Sequence, residues 1–326
     1  MKKLLTILMV VAMTLTLFTF VGCGEDEPAP LKLGMGVYTT VSTTDATADK
    51  AGKGQVTVTV AAVLLDDEGK IVKAFLDCAD SEAGYKANGE AVASAEFKTK
   101  YEKGADYGMK AYGGATKEWY EQADAFCALV VGKTSDEVKA LVVDGANTDA
   151  VIGAGCTIEA SEFVLAVEKA IANAAASNAT KDDTLKIGVS TSQTTSNATE
   201  EKNGTNKLET TFFAAAINAE GKITAASSDC VEVEFKFDNT GKSTFDATKA
   251  VLSKKEKGDS YGMKAYGGSA KEWYEQAAAF DAACIGKTAS EVAGLMGADF
   301  KGNADVQAAG CTIYVSGFVK AASKLG

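Results

Sequence analysis

The chain has 326 residues, enough for two domains of ordinary size, and its 46% hydrophobic and 24% charged side chains are those of a globular protein. A formal net charge of −11 argues against nucleic acid and anionic headgroups as partners, because both need a cationic surface. There is no histidine and no arginine, which excludes His-based triads, proximal-His haem, His-bearing zinc sites and bidentate arginine clamps on phosphate.

Met1-Lys2-Lys3 opens the chain with positive charge, Leu4 to Val21 is an apolar run, and Gly22-Cys23 meets the acidic stretch Gly24 to Pro30. This order predicts a secretory signal over residues 1–22. Phe20-Val21-Gly22-Cys23 resembles the bacterial lipobox, which makes Cys23 the expected lipidated N-terminus and residues 23–30 a stiff tether holding both prolines. A plain apolar anchor is the competing reading, on a run near the lower length for spanning. Either way the body of the protein is expected outside the cytoplasm, held to the membrane through its N-terminus. Loss of Lys2 and Lys3 with the signal takes the charge from −11 to −13.

The rest of the chain contains one unit twice. Tyr107 to Ala123 returns as Tyr261 to Ala277, 154 residues later (261 − 107), with two differences. Leu31-Lys32-Leu33-Gly34 matches Leu185-Lys186-Ile187-Gly188 at the same spacing, and Gly155-Cys156-Thr157-Ile158 matches Gly310-Cys311-Thr312-Ile313. A unit this long is a domain rather than a solenoid repeat. The expected organisation is repeat 1 over 31–174, a linker over 175–184 rich in Ala, Ser, Asn and Thr, and repeat 2 over 185–326.

Within each unit strands come first and helices later, which predicts an α+β fold with helices packed on an antiparallel sheet. Gln55 to Leu65 and Ile71 to Leu76 read as a hairpin closed by Asp66 to Lys70. Glu90 to Lys103 is expected to be helical, stopped by Gly104. A central helix is expected to start after Gly113-Gly114 and run to Val131, with Trp119, Ala123, Phe126 and Val130 on one buried stripe. Thr134 to Glu137 and Thr288 to Glu291 read as capping boxes of short helices, and Ser161–174 and Ser316–325 as closing helices. In the second unit Val231, Val233, Phe235 and Phe237 alternate with charged residues, a strand with one wet face.

This order of elements, with Gly-Lys-Ile at the hairpin turn and Gly-Lys-Thr before a capped helix, resembles the FMN-binding domain family, over about residues 55–172 and 205–325. The chain is similar to bacterial lipoproteins that carry such domains in tandem, and the resemblance implies a role in electron transfer. In that family a motif Asp-x-x-Ser-Gly-Ala-Thr-x-Ser joins its threonine to FMN through a phosphoester. Here Asp149-Ala150-Val151-Ile152-Gly153-Ala154-Gly155-Cys156-Thr157 puts glycine at the acceptor place, and Asp305 to Thr312, one residue shorter and aligned on Gly-Cys-Thr, puts Gly310 there. The resemblance therefore implies FMN, or another small flat anion, held without a covalent bond. The alternative is a non-enzymatic module that has lost flavin and binds another small ligand or a partner.

The expected contacts are Gly113, Gly114, Tyr120, Gly153, Ala154, Gly155 and Thr157 in the first copy, and Gly267, Gly268, Tyr274, Gly310 and Thr312 in the second. Glycine pairs ahead of a helix leave N–H groups for a phosphate, with Lys110, Lys117, Lys264 and Lys271 nearby, although tight turns also need glycine. The two tryptophans read as core anchors, leaving the tyrosines as ring contacts. Glu118, Glu121, Glu272 and Glu275 lie at i, i+3 and read as a solvated helix face, with a metal pair as the alternative. Beyond Cys23, six cysteines in no CxxC pattern read as buried thiols or one bridge per unit.

Overall fold

The computed structural model describes residues 29–94 and 96–325, so the predicted signal, Cys23 and most of the tether lie outside the described residues. The first copy begins with three long strands, β1 (Lys32–Thr44), β2 (Gly52–Leu65) and β3 (Ile71–Tyr85). They are followed by β4 (Ala91–Val92), α1 (Lys100–Lys103), α2 (Trp119–Val130) and α3 (Ser135–Lys139). A small ladder of β5 (Val142–Val143) and β6 (Ala146–Asn147) comes next, then α4 (Asp149–Ala154), α5 (Ser161–Ala172) and β7 (Ala175–Ala176). The second copy repeats the plan with β8 (Thr184–Ser196), β9 (Gly204–Ile217), β10 (Ile223–Phe237), α6 (Lys254–Lys257), α7 (Trp273–Cys284), α8 (Ala304–Ala308) and α9 (Ser316–Ala322). The fold is mixed α+β, with helices on antiparallel sheets.

The first sheet has the order β4-β3-β2-β1-β7 and the second β10-β9-β8. Period-two alternation sorts their side chains. Val56, Val58, Val60, Ala62 and Leu64 face one way, while Ala61, Val63 and Leu65 face the other, under α2 and α5. The first set meets Leu208, Phe212, Ala214, Val233 and Phe235 from the second sheet in one shared core. The layers are therefore helix, sheet, sheet, helix, with β3 beside β8 and β1 beside β10 where the sheets meet. Burial on both faces is why β2 and β9 end in nearly continuous apolar runs.

Contacts across this core are reciprocal. Ala46 N–H donates to the Gly241 carbonyl and Ala198 N–H to the Gly89 carbonyl, both at 2.8 Å. Lys169 pairs with Glu256 at 2.5 Å, and Lys324 with Glu102 at 2.6 Å. Tyr85 and Phe237, equivalent residues of the two copies, stack on each other with centroids 4.6 Å apart. Partly exposed ion pairs contribute about 0–1 kcal/mol each. A fully buried Val, Leu or Phe contributes about 1.5–3 kcal/mol. The apolar faces therefore hold the sheets together, and the ion pairs fix their orientation.

Several expectations need correction. Residues 90–103 are not one helix: Lys86 to Glu90 is a second hairpin turn with Gly89 at φ 76°, Ala91–Val92 pairs with the end of β3, and among the described residues of this stretch only Lys100–Lys103 is α-helical. The segment after Thr288 forms a 3-10 turn, Glu291–Leu295, in place of an α-helix. Residues 175–184 are built into the body: β7 pairs with β1, and Ala179 is fully buried and accepts from Leu31 N–H at 2.7 Å. The match of Gly34 to Gly188 is out of structural register. Gly36 pairs with Ala61 and Gly188 with Phe213, so β1 and β8 are related by 152 residues (188 − 36). The closing helices agree, since a Cβ on Gly36 would lie 2.3 Å from the Ala166 carbonyl oxygen and one on Gly188 1.9 Å from that of Ala321.

Candidate functional site

The repeated glycine segment forms a turn rather than a helix start. Ala115 N–H and Ser269 N–H return to the Met109 and Met263 carbonyls at 3.1 and 3.0 Å, and Gly114 and Gly268 adopt φ of 68° and 66°. The helices begin only at Trp119 and Trp273, behind capping boxes of Glu118 with Glu121 and Glu272 with Glu275. Glu118 accepts from Met109 N–H and Glu272 from Met263 N–H, both at 2.9 Å. Glu118 and Glu272 are buried, not solvated, and their carboxylates occupy the helix starts, leaving no place there for an anion. Among the described residues no group of three or more His, Cys, Asp or Glu is placed to hold a metal ion.

The Gly-Cys-Thr turns follow from backbone demands. Gly155 caps α4 at φ 96°, and Gly310, one residue beyond the cap Ala309 of α8, turns the chain at φ 103°. A β-branched residue is strongly disfavoured there. A Cβ at either position would also lie 2.1 Å from an ammonium nitrogen, that of Lys117 or of Lys271. These residues do not fit a covalent flavin: the acceptor hydroxyl is absent because the turn requires glycine. Two residues on, Thr157 and Thr312 are latched by buried glutamines. Gln122 Oε1 accepts from Thr157 N–H at 2.7 Å and its hydroxyl at 3.0 Å, and Gln276 Oε1 accepts from Thr312 at 2.8 and 2.9 Å. Sequence reasoning passed over both glutamines. Their signal was the identical Glu-Gln-Ala in each copy.

In the second copy the structure brings Gly267, Gly268, Gly310 and Thr312 together around one cavity of about 680 Å³. Lys271, Lys301 and Tyr314 complete its polar rim, and no carboxylate lines it. Tyr274 lies elsewhere, donating its hydroxyl to Asp259 Oδ1 at 3.1 Å on the surface. Tyr120 packs edge-on against Tyr101 with centroids 6.0 Å apart. Neither tyrosine forms the expected ring wall. In the first copy Gly113 and Gly114 keep the turn, and Gly153 and Ala154 lie on the last turn of α4, with Gly153 exposed. The tryptophans are core anchors as expected, Trp119 against Phe163 and Trp273 against Phe318.

A second cavity of about 450 Å³ adjoins the first and shares Met263, Ile313 and Tyr314 with it. Lys254 projects into it from α6 while only 6% exposed. Its Nζ lies 2.9 Å from Glu209 and 3.3 Å from Glu232, and over the rings of Tyr261 and Trp273 at 5.4 and 5.6 Å. Burial opposes the ammonium, yet the Glu209 carboxylate beside it holds its pKa above the usual lysine value. All six cysteines described are free and buried. Burial pushes the Cys78 thiol up to about 12 and those of Cys156 and Cys311 up to about 11. Cys127, Cys230 and Cys284 are raised for the same reason, so none is a thiolate near neutral pH.

No protein-family model matches the chain, and no solved structure matches it. Among curated proteins it is similar to a protein named chlorophenol reductase from Desulfitobacterium hafniense. The two are 35% identical over 108 residues, covering 29% of this chain and 33% of that protein. The chain thus spans about a third of the length of this relative. Among the described residues no helix is long and apolar enough to cross a membrane.

Proposed function

We propose that this chain is an extracytoplasmic lipoprotein, exported by residues 1–22 and anchored to the membrane through Cys23. Its two repeats are two domains of FMN-binding type, and the second holds FMN, or a flat anion like it, without a covalent bond, for electron transfer. One observation carries the ligand reading: a chain of net charge −11 keeps a cavity of about 680 Å³ lined by two lysines and by no acid. Lys271 and Lys301 suit a phosphate, and Met263 and Tyr314, shared with the deeper cavity, suit a ring. Bound flavin would supply the redox chemistry, and these side chains its binding and orientation. The similarity to a protein named a reductase supports redox work.

The latched threonines and protonated thiols support a second reading, in which the same cavity takes a non-redox anionic ligand. Flavin retention separates the two. Mature protein mixed with FMN and desalted is expected to keep flavin absorbance. Lys271→Ala is expected to weaken binding about tenfold, the loss of one charge-assisted contact. Protein that emerges colourless, or a Lys271→Ala variant that binds FMN as tightly as the parent, rules out the flavin reading.

A further inference from the structure

In the register set by the strand ladders, Ser190 of β8 is equivalent to Tyr38 of β1, and in the closing helices Gly317 is equivalent to Glu162. Around them part of the cavity framework is shared, Thr211 with Thr59, Lys254 with Lys100, Tyr261 with Tyr107 and Trp273 with Trp119, while Lys207, Glu209 and Lys320 stand where the first copy has Gln55, Thr57 and Leu165. The first copy carries larger side chains at these two positions, Tyr38 and Glu162. Glu162 accepts from the Thr59 hydroxyl at 3.0 Å, and the Tyr38 ring lies beneath Lys169 Nζ at 5.6 Å. The second copy leaves the cavity open. A Cβ on Gly317 would fall 2.6 Å from the Thr211 hydroxyl, so glycine is what keeps that group clear.

We propose that the 450 Å³ cavity of the second copy binds a small aromatic carboxylate, of benzoate or hydroxybenzoate size, one per chain. The first copy shows what fits such a framework, since it supplies a phenol ring and a carboxylate from its own sequence. The charge balance agrees: Lys207, Lys254 and Lys320 line the cavity against Glu209 and Glu232, and one carboxylate makes it neutral. Trp273 and Tyr261 present aromatic surface to the ring. This cavity needs no flavin for such binding.

Titration calorimetry of the full mature chain, free of FMN, tests it. 4-Hydroxybenzoate is expected to bind at one site, with phenol and cyclohexanecarboxylate each about tenfold weaker. Grafting the plug of the first copy, Ser190→Tyr with Gly317→Glu, is expected to abolish binding while the protein stays folded by circular dichroism. Lys320→Glu, at the exposed lip, is expected to weaken binding about tenfold and to decide the matter if the double variant does not fold. Absence of binding up to about 10 mM, a concentration that detects even weak complexes, overturns the proposal. So does unchanged binding in the folded variants, and equal binding of phenol overturns the carboxylate assignment. Flavin absorbance is read on a separate sample, so failure here and failure of the flavin reading are distinguishable.

Discussion

Asp77 is an acid placed where the fold penalises its charge. Burial raises its carboxyl to about 6 from 3.8, although Thr99 and the backbone N–H groups of Cys78 and Tyr101 act in the opposite sense. The folded state therefore keeps a proton that the unfolded chain releases between pH 4 and 6. Stability associated with this group is present below the lower value and lost as pH rises through that window, by about 3 kcal/mol for a two-unit shift. Asp77→Asn keeps the Oδ1 acceptor for Cys78 N–H at 2.6 Å and Tyr101 N–H at 3.2 Å. The variant is expected to gain stability relative to the parent as pH goes from 4 to 7. Urea unfolding at both pH values measures the difference, and an equal gap at the two contradicts the assignment. Its equivalent in the second copy, Asp229, is raised by burial too, with Lys255 acting against it. At the Lys255 position the first copy has Tyr101, so no such ammonium opposes the burial of Asp77.

The same contrast explains what was legible in single residues. The glycines and threonines of the candidate site stood out because both copies carry them. Lys254 did not, because Ser253-Lys254-Lys255-Glu256-Lys257 reads as an exposed charged turn until β9 and β10 are folded against it. Nor did the pairs Ser190 with Tyr38 and Gly317 with Glu162. They appear only when β1 and β8 are aligned by their ladders. The sequence match at Gly34 is shifted by two, and an even shift leaves the alternation of faces unchanged.

At the scale of elements, strands and the buried stripe of α2 were readable because period two and period 3.6 depend on which face is dry. The misread stretch after Glu90 has good helix formers. However, Ala91 N–H donates to the Asn197 side chain at 3.0 Å and Ser94 N–H to that of Gln193 at 2.7 Å. Those partners come from about a hundred residues away, so local propensity could not report them. The start of α2 was misplaced for a related reason: its cap, like that of α7, is a buried glutamate rather than Ser, Thr, Asp or Asn. Glu272 N–H donates to Glu275 at 2.7 Å, while the Glu272 carboxylate ties down Met263 and Lys264 N–H groups at 2.9 and 3.2 Å. Glu272→Ala removes the cap and orphans two loop donors beside the cavity. It is expected to cost about 2 kcal/mol, a few degrees of melting temperature. An unchanged melting curve contradicts a capping role for Glu272.

At the scale of the molecule, the main consequence is that neither copy encloses a complete core by itself. Each sheet has one face covered by its own helices and the other covered by the opposite sheet. Val58, Val60 and Leu64 from one copy, and Phe212 and Phe235 from the other, are at 0% exposure only because the sheets meet. Separating the copies would uncover a continuous apolar face of a size that monomers rarely present to water. A fragment of residues 185–326 is therefore expected to self-associate, with a second copy of itself standing in for the missing sheet. The reciprocal contacts at Gly89 and Gly241, and the stack of Tyr85 on Phe237, show that the interface is nearly self-complementary. Lys-to-Glu pairing survives such an exchange, since Lys324 would meet Glu256 of the partner fragment in place of Glu102. Sedimentation of the fragment decides the point. A dimer with intact circular dichroism is expected, and Phe235→Asp is expected to dissociate it. A folded monomer would mean that the inner faces are not the dominant source of stability and that each copy stands alone.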